Sequence, residues 1–163
     1  MKKFLILITF FLILFTYFFN NKCISFYDYF KGYENASFSY ILSLKNYQKM
    51  NNTTQKMLFG SKSLKNGTKI MVYCNNKIEG DFLSFVEYSQ VSFKGDEKTV
   101  EKLLKKLGIK IVKEESFESK KIFYGYSCFW KNFKVVENLK INFQIVINKD
   151  FITVGYPMIY EAF

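Results

Sequence analysis

The sequence predicts an α+β protein, in which an N-terminal membrane helix precedes a mainly antiparallel sheet packed against one main amphipathic helix. Three features of the 163-residue chain lead to this prediction. An early segment is almost wholly apolar, one stretch has helical periodicity, and much of the remainder alternates between apolar and polar residues. One amphipathic helix on a mainly antiparallel sheet is an α+β arrangement.

The chain begins with a charged and then strongly apolar segment. Lys2 and Lys3 precede an apolar run over residues 4–19, which as a helix would span roughly 24 Å at about 1.5 Å per residue. Snorkelling lysines and local bilayer thinning make up the difference from the hydrocarbon core. The run ends at Asn20 without a small-residue cleavage motif. An uncleaved signal-anchor is therefore favoured over a cleaved signal peptide.

This segment sets the predicted organisation. Residues 1–22 form the signal-anchor or signal peptide, residues 23–36 a tether, and residues 37–163 one extracytoplasmic domain, divisible into sub-units 37–94 and 95–163. Lysines before the apolar run favour an N-terminus inside the cell. We therefore expect a single-pass protein of the cell membrane with its C-terminal domain outside, or a secreted protein if the segment is cleaved.

Strand patterns dominate the first sub-unit. Apolar and polar residues alternate over 38–45, as in a half-buried strand. Asn66-Gly67 is a good hairpin turn, and a β-rich strand follows over 68–74. The segment 82–93 is also β-like, with an interruption near Glu87 that a bulge or two short strands would explain.

The second sub-unit opens with the one strong helix. Asp96 can cap its first turn, and Gly108 can adopt the left-handed conformation that ends it. Between them an apolar stripe falls at helical spacing, formed by Val100, Leu103, Leu104 and Leu107. Strand patterns follow at residues 109–111, 122–129, 141–147 and 151–155, with a charged turn predicted over 114–121.

Composition excludes several functions. All 24 basic residues are lysine, and the chain has neither arginine nor histidine. Histidine is thereby excluded from catalysis and metal binding, and arginine from bidentate contacts to phosphate or base edges. The lysines are scattered, so nucleotide bias explains the net charge of +10 better than attraction to anionic lipid or wall polymer.

Three cysteines are too few for a disulfide framework. They stand at Cys23, Cys74 and Cys128. A Cys74–Cys128 bridge is compatible with an oxidising compartment, but buried structural thiols are the favoured interpretation. The sequence has no Cys-x-x-Cys motif and no histidine, so no zinc site is predicted.

The enzyme alternative depends on carboxylates. Glu114, Glu115 and Glu118 cluster in the predicted charged turn, and paired acids hydrolyse glycosides when a cleft holds them at a suitable separation. Three further acids are scattered around a strand: Glu79, Asp81 and Glu87. No phosphate loop, nucleophile elbow or metal signature accompanies them. We therefore predict no enzyme and assign no catalytic, cofactor-binding or metal-ligating residue.

The C-terminal third resembles a known family. A lysine-rich helix ends in Leu107-Gly108, and three short motifs follow at residues 125–127, 141–144 and 154–159. In this order they resemble the YwmB-like envelope proteins of Gram-positive bacteria, whose fold is similar to that of the TATA-box-binding protein. The resemblance implies a TATA-binding-protein-like fold and an extracytoplasmic body behind a membrane segment. It carries no catalytic residues, only fold markers: Gly125, Ser127, Gln144, Gly155 and Pro157.

Together these features predict a non-catalytic, membrane-tethered extracytoplasmic interaction or scaffold protein. The membrane would be contacted through residues 4–19, and an envelope protein is the expected partner. The alternative is a module that binds anionic cell-wall polymer, with a carboxylate-dependent hydrolase or a DNA-binding protein less favoured. Nucleic acid is disfavoured because the chain lacks arginine and its domain is expected to face outward. No cofactor is expected.

Overall fold

A computed structural model describes residues 26–50, 61–63, 69–73 and 82–160 of the chain. The predicted membrane segment 4–19, the turn at Asn66-Gly67 and the thiol of Cys74 lie outside these residues. Within the described ranges, no helix combines the length and apolar character that crossing a bilayer requires.

Fourteen elements make up the described part of the chain. The helices are α1 Phe26–Phe30, α2 Leu44–Lys49, α3 Phe82–Phe85 and α4 Glu97–Leu107. The strands are β1 Ser37–Ser43, β2 Ser61–Ser63, β3 Lys69–Tyr73, β4 Tyr88–Lys94, β5 Lys110–Phe117, β6 Lys120–Tyr126, β7 Lys134–Val136, β8 Leu139–Ile141, β9 Phe143–Asn148 and β10 Phe151–Tyr156.

Eight strands form one antiparallel sheet in the order β2-β3-β1-β4-β10-β9-β6-β5, and β7 and β8 form a separate hairpin. The last strand of each predicted sub-unit lies at the centre, where Val154 of β10 pairs with Val91 of β4. The prediction of an α+β protein with a mainly antiparallel sheet is therefore confirmed.

Helix α4 begins and ends as the sequence predicts. The Asp96 carboxylate accepts a hydrogen bond from the Thr99 N–H at 2.9 Å, and the Asp96 N–H donates to the Thr99 hydroxyl at 3.4 Å. Gly108 ends the helix with a φ of 60°, in the left-handed region that glycine adopts most readily. The predicted stripe packs inward, with Val100, Leu103 and Leu107 fully buried.

The main core lies between this helix and one face of the sheet. Phe30 of α1, Phe93 of β4 and Phe143 of β9 are fully buried in it. Residues 26–36, assigned from the sequence to a tether, therefore include α1 and contribute aromatic rings to the core. Burying a side chain of this size stabilises the fold by about 1.5–3 kcal/mol.

The other sheet face carries a smaller core. Ile122 and Tyr124 of β6 pack there with Val146 of β9, beneath Ile141 of the β7–β8 hairpin and Ile159 of the C-terminal segment. Both faces of this half of the sheet are thus covered. Buried residues consequently run without a break along most of β9 instead of alternating with exposed ones.

Two predictions in the first sub-unit are wrong in part. The strand predicted over 38–45 ends at Ser43, because the Ser43 hydroxyl caps α2 by accepting the Asn46 N–H at 3.2 Å. The β-like segment 82–93 begins as helix α3, and the interruption near Glu87 is its junction with β4. There Phe82 packs edge-on against Tyr40 at 5.7 Å between ring centroids, a tertiary contact that outweighs β propensity.

Three strand limits in the second sub-unit also differ. The charged turn predicted over 114–121 is strand except for Glu118 and Ser119, because β5 is an edge strand whose charges remain accessible to water. The strand predicted over 122–129 ends at Tyr126, and the pattern over 141–147 is divided at Asn142 between β8 and β9. Asn142 divides it because its side chain bonds the turn after β6.

Candidate functional site

The two ends of the sheet differ in composition. Tyr126 ends β6 beside the start of β9, and the chain then forms an exposed segment, residues 128–136, which we call the aromatic end. At the opposite end, two tight turns join β5 to β6 and β9 to β10. We call residues 117–120 and 148–151, together with the adjoining charged residues Asp96, Glu97, Glu114 and Lys121, the hairpin end.

A buried asparagine fixes the base of the aromatic end. The Asn142 amide nitrogen donates to the carbonyl oxygens of Ser127 at 2.7 Å and Trp130 at 3.0 Å, and its oxygen accepts the Ser127 N–H at 2.8 Å. The Ser127 hydroxyl donates to the carbonyl of Leu107 in α4 at 2.9 Å. Because Asn142 is fully buried, these bonds hold the turn against both the helix and the sheet.

Trp130 anchors the segment to the core. Its ring lies 5.1 Å from that of Phe143 and 4.8 Å from that of Tyr156, and on its outer side 5.6 Å from Tyr29 and 6.4 Å from Phe26. Rings in these orientations stabilise one another by about 0.5–1.5 kcal/mol per pair beyond their buried area. The exposed residues on either side of Trp130 therefore project from a fixed base.

The side chains that project are apolar and basic. Phe129 is 72% exposed, Phe133 46% and Val135 61%. Three exposed lysines lie among them or on the facing strand: Lys131, Lys134 and Lys140. The ammonium of Lys134 lies 5.2 Å from the ring centroid of Tyr88, and that of Lys140 5.0 Å from that of Phe133. A ring face attracts a cation without neutralising it, so the aromatic end combines apolar surface with positive charge.

A shallow depression of about 500 Å³ adjoins this segment. Its lining includes Lys131, Phe133 and Lys134 on one side and Glu87 and Pro157 on the other. It is open to solvent, and only Glu87 brings negative charge. That carboxylate is bonded to Lys69 of β3.

At the hairpin end, lysine and glutamate neutralise each other. The ammonium of Lys121 contacts the carboxylates of Glu97 in α4 and Glu114 in β5, and the two hydrogen bonds raise the Lys121 pKa. A second shallow depression, of about 440 Å³, lies beside this group. Its lining mixes both signs of charge and contains Asp96, Glu118, Lys120 and Lys149.

A further ionic cluster lies on the second face of β5. Lys113 bonds Glu115 at 2.7 Å and Glu137 of the β7–β8 turn at 2.6 Å, and both bonds raise the Lys113 pKa. The Lys113 bond, with a hydrogen bond from the Tyr124 hydroxyl at 2.8 Å, lowers the Glu115 pKa. Burial and the bond to Glu115 raise the Tyr124 pKa. These pKa directions keep Lys113 and Glu115 charged and Tyr124 neutral at neutral pH, as expected of a structural cluster.

The acidic residues considered for hydrolysis do not converge. Glu114 and Glu115 are neighbours on β5, so their side chains leave opposite faces of the sheet. Glu118 lies in the exposed turn with a φ of 52°. Glu87 lies in a different part of the sheet, and Glu79 and Asp81 lie outside the described residues. These positions form no carboxylate pair within the described structure.

The fold markers have packing explanations. A Cβ on Gly125 would lie 2.3 Å from the Ile109 side chain, and one on Gly155 would lie 2.2 Å from the Ile159 nitrogen. Pro157 follows β10, and the chain then returns across the sheet so that the Ile159 N–H bonds the Gln144 side chain at 3.1 Å. Gly155 thus allows tight backbone packing in β10, which is a central strand of the sheet.

Of the three cysteines, only Cys128 lies within the described residues. Cys128 is exposed and unbridged at the aromatic end, so the expectation of a buried thiol is wrong for this residue. Its side chain leaves the core because β6 has already ended at Tyr126. A bridge to Cys74 involves a residue outside the described part.

Sequence reasoning missed the aromatic end itself. Three aromatic residues occur within five positions, at Phe129, Trp130 and Phe133, with Lys131 between them. Phe129 and Trp130 are adjacent, which breaks the period of two expected of a strand, and this was the signal that these rings do not all face one core. The sequence pattern instead predicted a longer strand over 122–129, which included Phe129.

Among the described residues, no group of three or more acidic or cysteine side chains is placed to hold a metal ion. Comparison of the chain with protein-family models, curated proteins and solved structures finds no match.

Proposed function

We propose that this chain is a non-catalytic, membrane-tethered extracytoplasmic interaction protein that binds through its aromatic end. The exposure of Phe129, Phe133 and Val135 on a base fixed by Asn142 is the observation that carries the proposal. Exposed apolar side chains that cluster and are flanked by charge are typical of binding surfaces. Aromatic residues suit this role because they bury a large area with few rotatable bonds.

The tether rests on the sequence. The apolar run 4–19 behind Lys2 and Lys3 would anchor the chain with its C-terminal domain outside the cell. The missing cleavage motif favours retention of the anchor over secretion. The function is therefore assigned to the outer surface of the membrane.

Membership of the YwmB-like family and a TATA-binding-protein-like fold form part of the same proposal. Support comes from the packing of the shared motifs. Gly125 and Gly155 stand where a side chain would collide, and Gln144 holds the C-terminal segment. Residues whose replacement would cause such a collision, or would remove such a bond, are the ones that proteins with a common fold would retain. The broad antiparallel sheet with helices on one face is compatible with that fold.

Binding of anionic wall polymer is the alternative for the same surface. Lys131, Lys134 and Lys140 favour it, since none of them forms a salt bridge with a residue that the structure describes. Such binding would weaken steeply as salt rises, because exposed charges are screened beyond about 10 Å at 0.1 M.

Protease accessibility tests the topology. A full-length copy with a C-terminal tag is expressed in cells that are then converted to protoplasts. Its mass is measured, and protease is added before or after lysis. We expect the full-length mass and loss of the tag on intact protoplasts, while a cytoplasmic marker protein survives. A shorter starting mass would replace the anchor by a cleaved signal. Protection of the tag until lysis would overturn the proposal and place the basic domain inside the cell.

A further inference from the structure

We infer that the aromatic end docks on the anionic lipid surface of the membrane that anchors the chain. The inference rests on the proposed function and adds a partner of defined chemistry. It requires that the surface lie within reach of the bilayer, match it chemically, and be held ready to bind. Each requirement has its own evidence.

The distance that can separate the aromatic end from the bilayer depends on where the described chain begins. Six residues, 20–25, separate the apolar run from Phe26, and fully extended they allow at most about 25 Å between Phe19 and Phe26. The Phe26 ring lies 6.4 Å from those of both Trp130 and Tyr156. With the run inserted in the membrane, the aromatic end is thus the part of the sheet tied closest to the bilayer.

The chemistry of this surface matches a lipid interface. Phenylalanine is among the residues that surface-bound segments bury at the boundary between headgroups and acyl chains, and Phe129 and Phe133 are exposed and have no polar side-chain group to leave unpaired. Exposed lysines add about 1 kcal/mol each near an anionic surface. Lys131, Lys134 and Lys140 provide that charge, and Lys106, 5.6 Å from the Tyr29 ring centroid, adds to it at the end of α4. Residues 128–136 contain no acid, and Glu137, which follows them, is bonded to Lys113.

The segment is already ordered before it binds. Asn142 fixes the backbone at Ser127 and Trp130, and the Asn132 N–H donates to the Tyr156 hydroxyl at 3.0 Å. Docking therefore needs little further ordering of backbone, which is a main cost of recruiting a loop to a surface.

The hairpin end offers a matched contrast. Phe117 is 61% and Phe151 53% exposed there, so exposed phenylalanine alone does not distinguish the two ends. Their immediate neighbours in the turns include Glu118 and Asp150, which an anionic surface would repel. The proposal therefore predicts that serine at Phe129 and Phe133 weakens docking, whereas serine at Phe117 and Phe151 leaves it unchanged.

Trp130 is the chain's single tryptophan and reports docking directly. Full-length protein is reconstituted into vesicles that contain brominated phosphatidylcholine, with or without phosphatidylglycerol, and Trp130 fluorescence is recorded. We expect strong quenching by bromine in the anionic vesicles, weaker quenching in the neutral ones, and partial recovery at high salt.

The variants decide the role of the surface. We expect F129S/F133S to weaken docking about tenfold, which corresponds to a loss of about 1.4 kcal/mol, and to bring quenching to the level of neutral vesicles. F117S/F151S should behave as wild type, and circular dichroism checks that both variants are folded. Equal quenching in wild type and F129S/F133S would overturn the inference.

Failure of docking and failure of the tether give different results. Protein that alkaline carbonate removes from the vesicles is not anchored, and the proposed function then fails. Protein that resists carbonate but shows no quenching in anionic vesicles retains its anchor and overturns only the docking inference. A Trp130 emission shift with purified anionic wall polymer, in protein that anionic lipid does not quench, would assign the surface to the polymer instead.

Discussion

The two ends of the sheet contain lysine and phenylalanine in similar amounts but arrange them differently. At the hairpin end, Lys121 is neutralised by Glu97 and Glu114. At the aromatic end, Lys134 and Lys140 lie over rings and keep their charge. Their lysine and phenylalanine content therefore does not distinguish the ends. Their acids do, since Glu118 and Asp150 lie in the turns of the hairpin end whereas residues 128–136 contain no acid. This leaves the aromatic end positively charged and apolar.

The two ends also differ in the interactions that stabilise them. The hairpin end is closed by two-residue turns and by a cap on α4 at Asp96, all exposed to water. The aromatic end is held by hydrogen bonds of the fully buried Asn142. A buried bond leaves unsatisfied partners when it is broken, whereas water replaces an exposed one. Substitutions should consequently cost more stability at the aromatic end.

The largest loss of stability is expected for Asn142→Ala. It leaves the Ser127 N–H and the carbonyl oxygens of Ser127 and Trp130 without their partner. At about 1–3 kcal/mol for each buried group left unpaired, we expect the free energy of unfolding to fall by about 3 kcal/mol, as measured by urea unfolding. Acrylamide should also quench Trp130 more readily, because the turn that holds it is released.

Asn148→Ala is the control, because Asn148 ends β9, the strand that Asn142 directly precedes, but is exposed at the hairpin end. We expect its effect to stay within about 0.5 kcal/mol, as for most surface substitutions. Equal losses in the two variants would contradict the difference in how the ends are held.

The next effect is expected for Gly108→Ala, where α4 meets the aromatic end. Gly108 has a φ of 60°, and a Cβ there would lie 2.8 Å from the Phe129 ring. A non-glycine residue in this conformation costs about 1–2 kcal/mol, and Phe129 must move as well. We expect a loss of stability between those of the two asparagine variants. Gly32→Ala is the control, since a Cβ at that position meets nothing within 4 Å.

Helix α4 and the strands β3 and β10 were predictable because their signals are local. A capping aspartate, a stripe at helical spacing and a terminal glycine all lie within thirteen consecutive residues, 96–108. The burial of Asn142 and Gln144 was not predictable, because it depends on a hairpin and a C-terminal segment that cover the second face. For the same reason, the polar residues of β9 suggested an exposed side that the fold does not have.

The aromatic end escaped prediction for a related reason. Phe129, Trp130 and Phe133 are similar in sequence but differ in environment, since only Trp130 packs against Phe143 and Tyr156. Which of three neighbouring rings turns inward depends on where β6 stops, and Asn142 determines that from a distant part of the chain. The candidate site thus arises from a long-range contact that no local pattern encodes.

The smallest expected effect is on the pH dependence of stability, and it involves Asp96 at the hairpin end. Hydrogen bonds from the Thr99 hydroxyl and N–H lower the pKa of Asp96, so folding favours the charged carboxylate. Its contribution to stability is complete above the unfolded pKa of about 3.9 and is lost as pH falls through the lower folded value. Asp96→Asn keeps a capping acceptor but cannot titrate. We therefore expect its melting temperature to approach that of the wild type as pH falls from 5 to about 2.

Asp96→Ala separates the charge from the cap. Alanine offers no acceptor to the Thr99 N–H, so its melting temperature should lie below that of Asp96→Asn at every pH. Parallel pH profiles for wild type and Asp96→Asn would show that the carboxylate charge contributes nothing to folding. The hairpin end would then be held by neutral hydrogen bonds, as the aromatic end is, and the two ends would differ only in whether those bonds are buried.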